Sequence, residues 1–263
     1  MKKLHILKIG GNIIDDPTQL NRFIQHFSEI NELKILIHGG GKLATELAHK
    51  LGIKQTLIEG RRITDSETLN ITVMVYVGLI NKTIVAKLQA HNNNAIGFCG
   101  ADGNLIKSKK RENAEIDYGY VGDIIEHGID VKQFEQLLET SKIPVISPIT
   151  HDGKGNLLNT NADTMASKIA IALSSFYDVH LTYCFEKNGV LLDVENDESF
   201  IPILKKADYF NLKKEHTISK GMIPKLDNAF SAIENGAKQV TICHAKNISK
   251  QMENMRGTQL LKG

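Results

Sequence analysis

The chain predicts an α/β fold built on a mainly parallel sheet with helices on both faces. Short β-rich runs alternate with amphipathic helical patterns along its whole length. The first run, Leu4-His5-Ile6-Leu7-Lys8-Ile9, has the continuous apolar character of a strand buried on both sides. At 263 residues the chain is long enough for one large domain or two lobes. No segment rich in Pro, Gly or Ser divides it, and no internal repeat is present, so two lobes sharing one continuous sheet are expected.

In order, a strand over residues 4–9 ends at Gly10-Gly11. A helix over 17–30 follows, with Leu20, Phe23, Ile24 and Phe27 at helical spacing. The strand at 34–38 ends at Gly39-Gly40-Gly41 and leads into a helix over 42–51. A long helical pattern covers 66–91. A strand at 95–98 precedes a change of pattern, where residues 105–107 and 118–125 read as short antiparallel strands, a hairpin decorating the sheet edge near a substrate. Then come a helix at 131–140 and a strand at 143–149. The helix over 162–174 is announced by Asn161 and Asp163, good cap and first-turn residues, with Met165, Ile169, Ala172 and Leu173 apolar behind them. A strand at 179–183, a helix at 222–235 with Pro224 in its first turn, and a strand at 239–243 complete the pattern.

Composition excludes several functions. Hydrophobic content of 41% and charged content of 24% are those of an ordinary soluble protein, and a net charge of +2 gives no reason to expect nucleic acid. The run Lys107-Ser108-Lys109-Lys110-Arg111 reads as a solvated loop. Cys99, Cys184 and Cys243 are odd in number and lack CxxC spacing, which favours reduced thiols. His5, His26, His49 and His91 have no metal-ligand spacing, and no protein-ligated metal is expected. Met-Lys-Lys runs straight into a strand, and no run approaches the ~18 apolar residues of a membrane span. A cytoplasmic protein is expected.

The chemistry-bearing segments start with the two glycine runs. A strand ending in glycines with a helix behind it exposes backbone N–H groups at the positive end of a helix dipole, a cradle for phosphate. Two such loops within about forty residues suggest an anion held from two sides. The second loop has three readings: a loose dinucleotide fingerprint with Glu59 near the acidic position, an esterase oxyanion loop for which no G-x-S-x-G supplies the serine, and a plain turn. A Walker pattern is absent. Lys8 stands at the carboxyl end of the first strand, where ligands approach open α/β sheets, and a lysine among Ile6, Leu7 and Ile9 needs an anionic partner. Lys225 falls in a first helical turn, where the dipole disfavours a cation unless a bound anion compensates. In Gly60-Arg61-Arg62-Ile63-Thr64, an exposed pair is the ordinary reading, and a bidentate carboxylate clamp the functional one.

Taken in order, Leu7-Lys8-Ile9-Gly10-Gly11, Ile37-His38-Gly39-Gly40-Gly41, Gly60-Arg61-Arg62-Ile63-Thr64, Asn81-Lys82-Thr83, Asn159-Thr160-Asn161-Ala162-Asp163 and Lys220-Gly221-Met222-Ile223-Pro224-Lys225 closely resemble the acetylglutamate kinases of the amino acid kinase family. The resemblance covers essentially the whole chain. It implies the three-layer αβα sandwich of that family, with a mainly parallel open sheet. It implies phosphoryl transfer from ATP, with Mg2+, to the side-chain carboxylate of N-acetylglutamate in arginine biosynthesis. By motif match, Lys8 and Lys225 neutralise the transferring group and Asp163 orients them. Gly40, Gly41, Arg62 and Asn159 hold the acylated amino acid, with Arg62 on its α-carboxylate. Gly10, Gly11, Gly189, Leu191, Thr217, Ile218 and Ser219 line the nucleotide. Residues 1–175 form the amino acid lobe and residues 176–263 the ATP lobe of a single domain.

The stretch Tyr183-Cys184-Phe185-Glu186-Lys187-Asn188-Gly189-Val190-Leu191 departs from the family, which carries an aspartate after Ser or Thr before Gly-Val-Leu. The short tail and the missing N-terminal helical extension imply a homodimer without arginine control. The alternatives are an N-succinylglutamate kinase of the same family, another family member such as a carbamate, aspartate or uridylate kinase, a nicotinamide-dependent dehydrogenase using residues 39–44, and a catalytically silent nucleotide-binding regulator. The dehydrogenase leaves Lys8, Lys225 and the first glycine pair without roles.

Overall fold

A computed structural model describes residues 1–58, 61–113, 115–218, 221–248, 252 and 256–262. Among these described residues the strands are, in chain order, β1 (Lys3–Ile9), β2 (Leu33–His38), β3 (Leu57–Ile58), β4 (Arg61–Arg62), β5 (Ala95–Phe98), β6 (Ile106–Lys110), β7 (Gly122–Ile129), β8 (Ile143–Ile146), β9 (Ile149–His151), β10 (Leu157–Asn159), β11 (Asp178–Phe185), β12 (Ile203–Lys205), β13 (Gln239–His244) and β14 (Gly257–Leu261). Eight of them form one sheet in the order β12-β14-β13-β11-β1-β2-β8-β5. All its neighbours are parallel except β13 and β14.

The helices are α1 (Gly11–Asp15), α2 (Pro17–Ser28), α3 (Gly41–Lys50), α4 (Ser66–Thr72), α5 (Asn81–Ala90), α6 (Val131–Glu139), α7 (Ala162–Leu173), α8 (Lys206–Lys214) and α9 (Ile223–Glu234). Strand alternation divides the core into two layers. Leu4, Ile6, Ile35 and Ile37 pack with residues of α6, α7 and α9, whereas Leu7, Ile9 and Leu36 pack with α2, α3, α5 and the long helical segment. The result is the three-layer sandwich, and Leu20, Phe23, Ile24 and Phe27 of α2 are all buried as their spacing predicts. Cys99, Cys184 and Cys243 are buried free thiols.

Three predicted elements differ most from the structure. The strand expected at 143–149 ends at Ile146, and the chain re-enters a second sheet as β9 after Ser147 and Pro148. Pro148 has no N–H to donate to a ladder, so a strand cannot run through the centre of the sheet there. The helix expected at 66–91 is continuous over Ser66–Ala90 but widens to a π-helix over Val73–Ile80. It is long and apolar enough by composition to cross a membrane, yet Ile71, Val75, Ile80, Ile84 and Leu88 are buried in the core. The antiparallel pair expected at 105–107 and 118–125 forms as β6 and β7, the second strand shifted to Gly122–Ile129, and it lies in a second sheet, β10-β9-β6-β7, and not on the edge of the main one.

Candidate active site

Chain order reverses direction across the sheet at β1, with β2 on one side and β11 on the other. The carboxyl ends of strands at such a switch are where open α/β sheets bind ligands. Here β1 and β2 both end in glycine loops that pass into the N-termini of α1 and α3, and the two loops are tied together by the Gly39 amide, which donates to the Ile9 carbonyl at 3.1 Å. Gly40 has φ of +150°, and a Cβ there would lie 2.2 Å from Ile80 Cδ1, so only glycine fits this close approach.

Lys8 shares its face of β1 with Leu4 and Ile6, which point it toward α7. It is 7% exposed. The partner that its burial demands is Asp163 in the first turn of α7, with Lys8 Nζ 2.6 Å from Asp163 Oδ1. The other oxygen, Oδ2, lies 3.6 Å from Lys225 Nζ on the first turn of α9. Two further contacts fix the carboxylate's backbone. Asn161 Oδ1 accepts from the Thr164 amide at 2.9 Å and caps α7, and Tyr183 Oη donates to the Asp163 carbonyl at 3.0 Å. Burial by itself would push the Asp163 carboxyl up; the ammonium groups of Lys8 and Lys225 outweigh it and hold the carboxyl below the usual range. One anion between two cations leaves a net positive charge at the junction.

Two cavities meet there. The first, about 530 Å³, is lined by Lys8, Gly10, Gly11, Gly189, Leu191 and Ile218 among others, with Lys225 at the junction. The second, about 380 Å³, is lined by Gly40, Gly41, Arg62, Asn159 and Asp163 and also reaches Lys8. Lys8, Gly11, Gly41 and Lys42 belong to both cavities. Arg62 is almost fully buried, and its guanidinium donates to Gln55 Oε1, to the Gly41 carbonyl at 2.8 Å and to Thr45 Oγ1 at 2.8 Å. All three acceptors are neutral. Among the described residues no carboxylate neutralises Arg62, which suits the second cavity to an anionic group. Asn159 is held by its side-chain amide, which donates to Thr64 Oγ1 at 3.1 Å.

The structure thus gathers nearly every residue singled out in the sequence around two adjoining cavities. Thr217 does not line either: its amide closes the end of α8 by donating to the Leu212 carbonyl at 3.1 Å. Ser219 lies outside the described residues. The departing loop keeps its place, because Gly189 sits where a Cβ would meet Thr258 Oγ1 at 2.5 Å and Val190 N donates to that same oxygen at 2.8 Å. Sequence reasoning missed Lys42, Tyr76, Glu186 and Arg111. Lys42 was signalled by its place directly after three glycines. Arg111, read as part of a solvated run, instead faces the second cavity, drawn inward by a two-pronged ion pair with Asp123 of β7 that includes Nε to Oδ2 at 2.9 Å. Nothing in Lys-Lys-Arg marks one residue as inward; the partner strand decides it.

At the carboxyl ends of a mainly parallel sheet, a cation pair bridged by one carboxylate thus stands between a cavity that presents the buried Arg62 and a larger glycine-walled one. The chain belongs to the Amino acid kinase family, whose sequence profile matches residues 3–244. It is 50% identical to the acetylglutamate kinase of Cytophaga hutchinsonii, with 99% of each chain covered. It is 49% identical to that of Phocaeicola vulgatus, covering 95% of this chain and 96% of the other. The fold is shared with N-acetylglutamate synthase from Neisseria gonorrhoeae at a TM-score of 0.84 and 19% identity, covering 100% of this chain and 60% of that one.

Proposed function

We propose that this protein is an ATP-dependent kinase that phosphorylates the side-chain carboxylate of N-acetylglutamate, giving an acyl phosphate for arginine biosynthesis. The observation that carries the reading is Asp163, holding Lys8 and Lys225 at the junction of the two cavities. The larger cavity takes ATP against Gly10, Gly11, Gly189, Leu191 and Ile218. The smaller one takes the acylated amino acid, with its α-carboxylate on Arg62 and its acyl amide near Asn159. The γ-carboxylate then faces Lys8 and the amides of Gly40 and Gly41. On this division residues 1–175 serve the amino acid, and residues 176–263 complete the nucleotide side.

A carboxylate is already nucleophilic at neutral pH, so no general base is needed. What the protein supplies is alignment and positive charge where the transferring group spreads its own. Lys8 approaches from the amino acid side and Lys225 from the nucleotide side, and Asp163 keeps the two from separating. Among the described residues no cluster of three His, Cys, Asp or Glu side chains could cage a cation. The donor set fits Mg2+ carried on nucleotide phosphate oxygens, with Glu186, whose Oε1 accepts from Asn12 Nδ2 at 3.0 Å, as the carboxylate within reach of the nucleotide cavity. That ion would screen phosphate charge during transfer. The protein is read as a cytoplasmic homodimer, a state consistent with exposed Met74 and Leu79 on the uncharged stretch of the long helix.

ADP release measured with ATP and Mg2+, with and without N-acetylglutamate, tests the reading. Release that depends on the acylglutamate is expected. Release that is indifferent to it, or absent with it, overturns the assignment.

A further inference from the structure

His38 and Asn81 form a buried polar couple that the reaction described above does not use. His38 ends β2, directly before the three glycines, and is 0% exposed; Asn81 opens α5 and is also 0% exposed. Asn81 Nδ2 donates to the Val145 carbonyl at 2.9 Å and faces His38 Nε2 at 3.1 Å. Its oxygen accepts from Lys82 Nζ at 3.3 Å, and Gly97 leaves the space for it: a Cβ at Gly97 would fall 1.8 Å from Asn81 Oδ1. The amide is therefore locked with its NH2 toward the imidazole, because the reverse orientation would set two oxygens against each other at Val145.

A donor aimed at Nε2 makes that nitrogen the acceptor and leaves the ring proton on Nδ1. Nδ1 lies 2.9 Å from the Gly39 carbonyl and donates to it. In a planar trans peptide the C=O and N–H point in opposite directions. Turning the Gly39 carbonyl back to the ring turns the Gly40 N–H away from the core, and Gly40 is a wall of the amino acid cavity. That N–H has no protein acceptor among the described residues although Gly40 is buried. A buried donor without a partner is costly unless a ligand completes it.

We propose that His38, in the Nδ1-protonated form imposed by Asn81, is a positioning residue that aims the Gly40 N–H at the oxygen being phosphorylated. The proposal rests on the kinase reading above. Burial holds the ring neutral at physiological pH, its pKa pushed down to about 4. The residue acts through the peptide and touches no substrate itself.

The test uses three substitutions chosen by which imidazole nitrogen they imitate. His38→Asn places an amide nitrogen where Nδ1 stood and keeps the donor to Gly39. His38→Gln reaches Asn81 but leaves the Gly39 carbonyl unpaired. His38→Leu fills the space without polarity. Relative to wild type, kcat falls roughly ten- to a hundredfold for His38→Leu and His38→Gln, with KM for ATP unchanged within about threefold, a smaller loss than removing a preorganised donor outright. His38→Asn recovers most of that loss. Should the apolar variant keep full kcat, or should Asn and Gln be equally impaired, the ring is only packing and the proposal is wrong. Wild-type protein labelled with 15N-histidine gives a second readout independent of activity and of which substrate is phosphorylated: a protonated Nδ1 and bare Nε2 for the resonance missing from His38→Asn. The opposite tautomer overturns the proposal, whereas a wild-type enzyme inert toward N-acetylglutamate overturns the kinase reading alone.

Discussion

Asp163 lies inside the protein with an ammonium group on each of its oxygens, and that arrangement sets its behaviour with pH. Its native pKa is held below the ordinary 3.8, so below that pH the unfolded chain binds a proton that the native state still refuses. The stability contributed by the cluster is fully present above pH 3.8 and is lost as pH falls through the lowered native value. Thermal melts between pH 6 and pH 2.5 are expected to show a steeper acid decline for wild type than for Asp163→Asn, and identical slopes would remove the cluster from the explanation. Arg62 makes a different prediction because its acceptors are all neutral. A truncated arginine–carboxylate contact, partly desolvated, costs on the order of 2–5 kcal/mol. Arg62→Ala is accordingly expected to raise KM for N-acetylglutamate roughly 30-fold or more while leaving KM for ATP within about threefold. A larger effect on ATP would move Arg62 to the other substrate.

The elements that carry these residues were legible to different degrees. Strand-then-glycine segments announced themselves, because a buried strand is written as a continuous apolar run and only glycine tolerates φ of +150° at Gly40. Gly40→Ala is expected to fold but to lose most activity, since the new methyl must displace Ile80 and Tyr76 of the π-helical segment. Unchanged kcat in that variant would mean that the loop does not contact substrate. The π-helix itself left no mark in the sequence. An apolar stretch such as Val73-Met74-Val75-Tyr76-Val77-Gly78-Leu79-Ile80 reads the same in either helix, and tertiary contacts with the glycine loop choose between them. Lys34 is a similar case. Its ammonium, nearly buried, donates to the carbonyls of Phe27, Ser28 and Ile30 and closes the end of α2. Lys34→Met should lower stability by about 1–3 kcal/mol through unpaired carbonyls, measurable as a fall in the denaturant midpoint without a change in kcat. A neutral substitution would show that water replaces the amine.

At the scale of the whole molecule, the mainly parallel sheet and its two covering layers follow from alternating strand and helix patterns, whereas the site is assembled from residues far apart in sequence, Asp163 lying 155 positions after Lys8 and 62 before Lys225. Lys8, Asp163 and Lys225 come from β1, α7 and α9, and no local pattern joins them. Their individual signals were physical: a lysine in a buried strand, an acid in a first turn where the dipole welcomes it, and a lysine in a first turn where it does not. Arg111 and Tyr76 gave none, because their inward direction depends on partners on other strands and helices. Assembly beyond one chain is a further expectation: light scattering should give about twice the 29.2 kDa chain mass, and a monomer would contradict it. The central claim is that the phosphoryl group passes between Lys8 and Lys225. It is tested most directly by kcat for Lys8→Ala and Lys225→Ala, with the acyl phosphate trapped as a hydroxamate and folding checked by circular dichroism. The account predicts folded proteins whose kcat is lower by roughly 10²–10³-fold, the loss expected when one preorganised charge-stabilising group is removed. Folded variants that form the hydroxamate at the wild-type rate would contradict it.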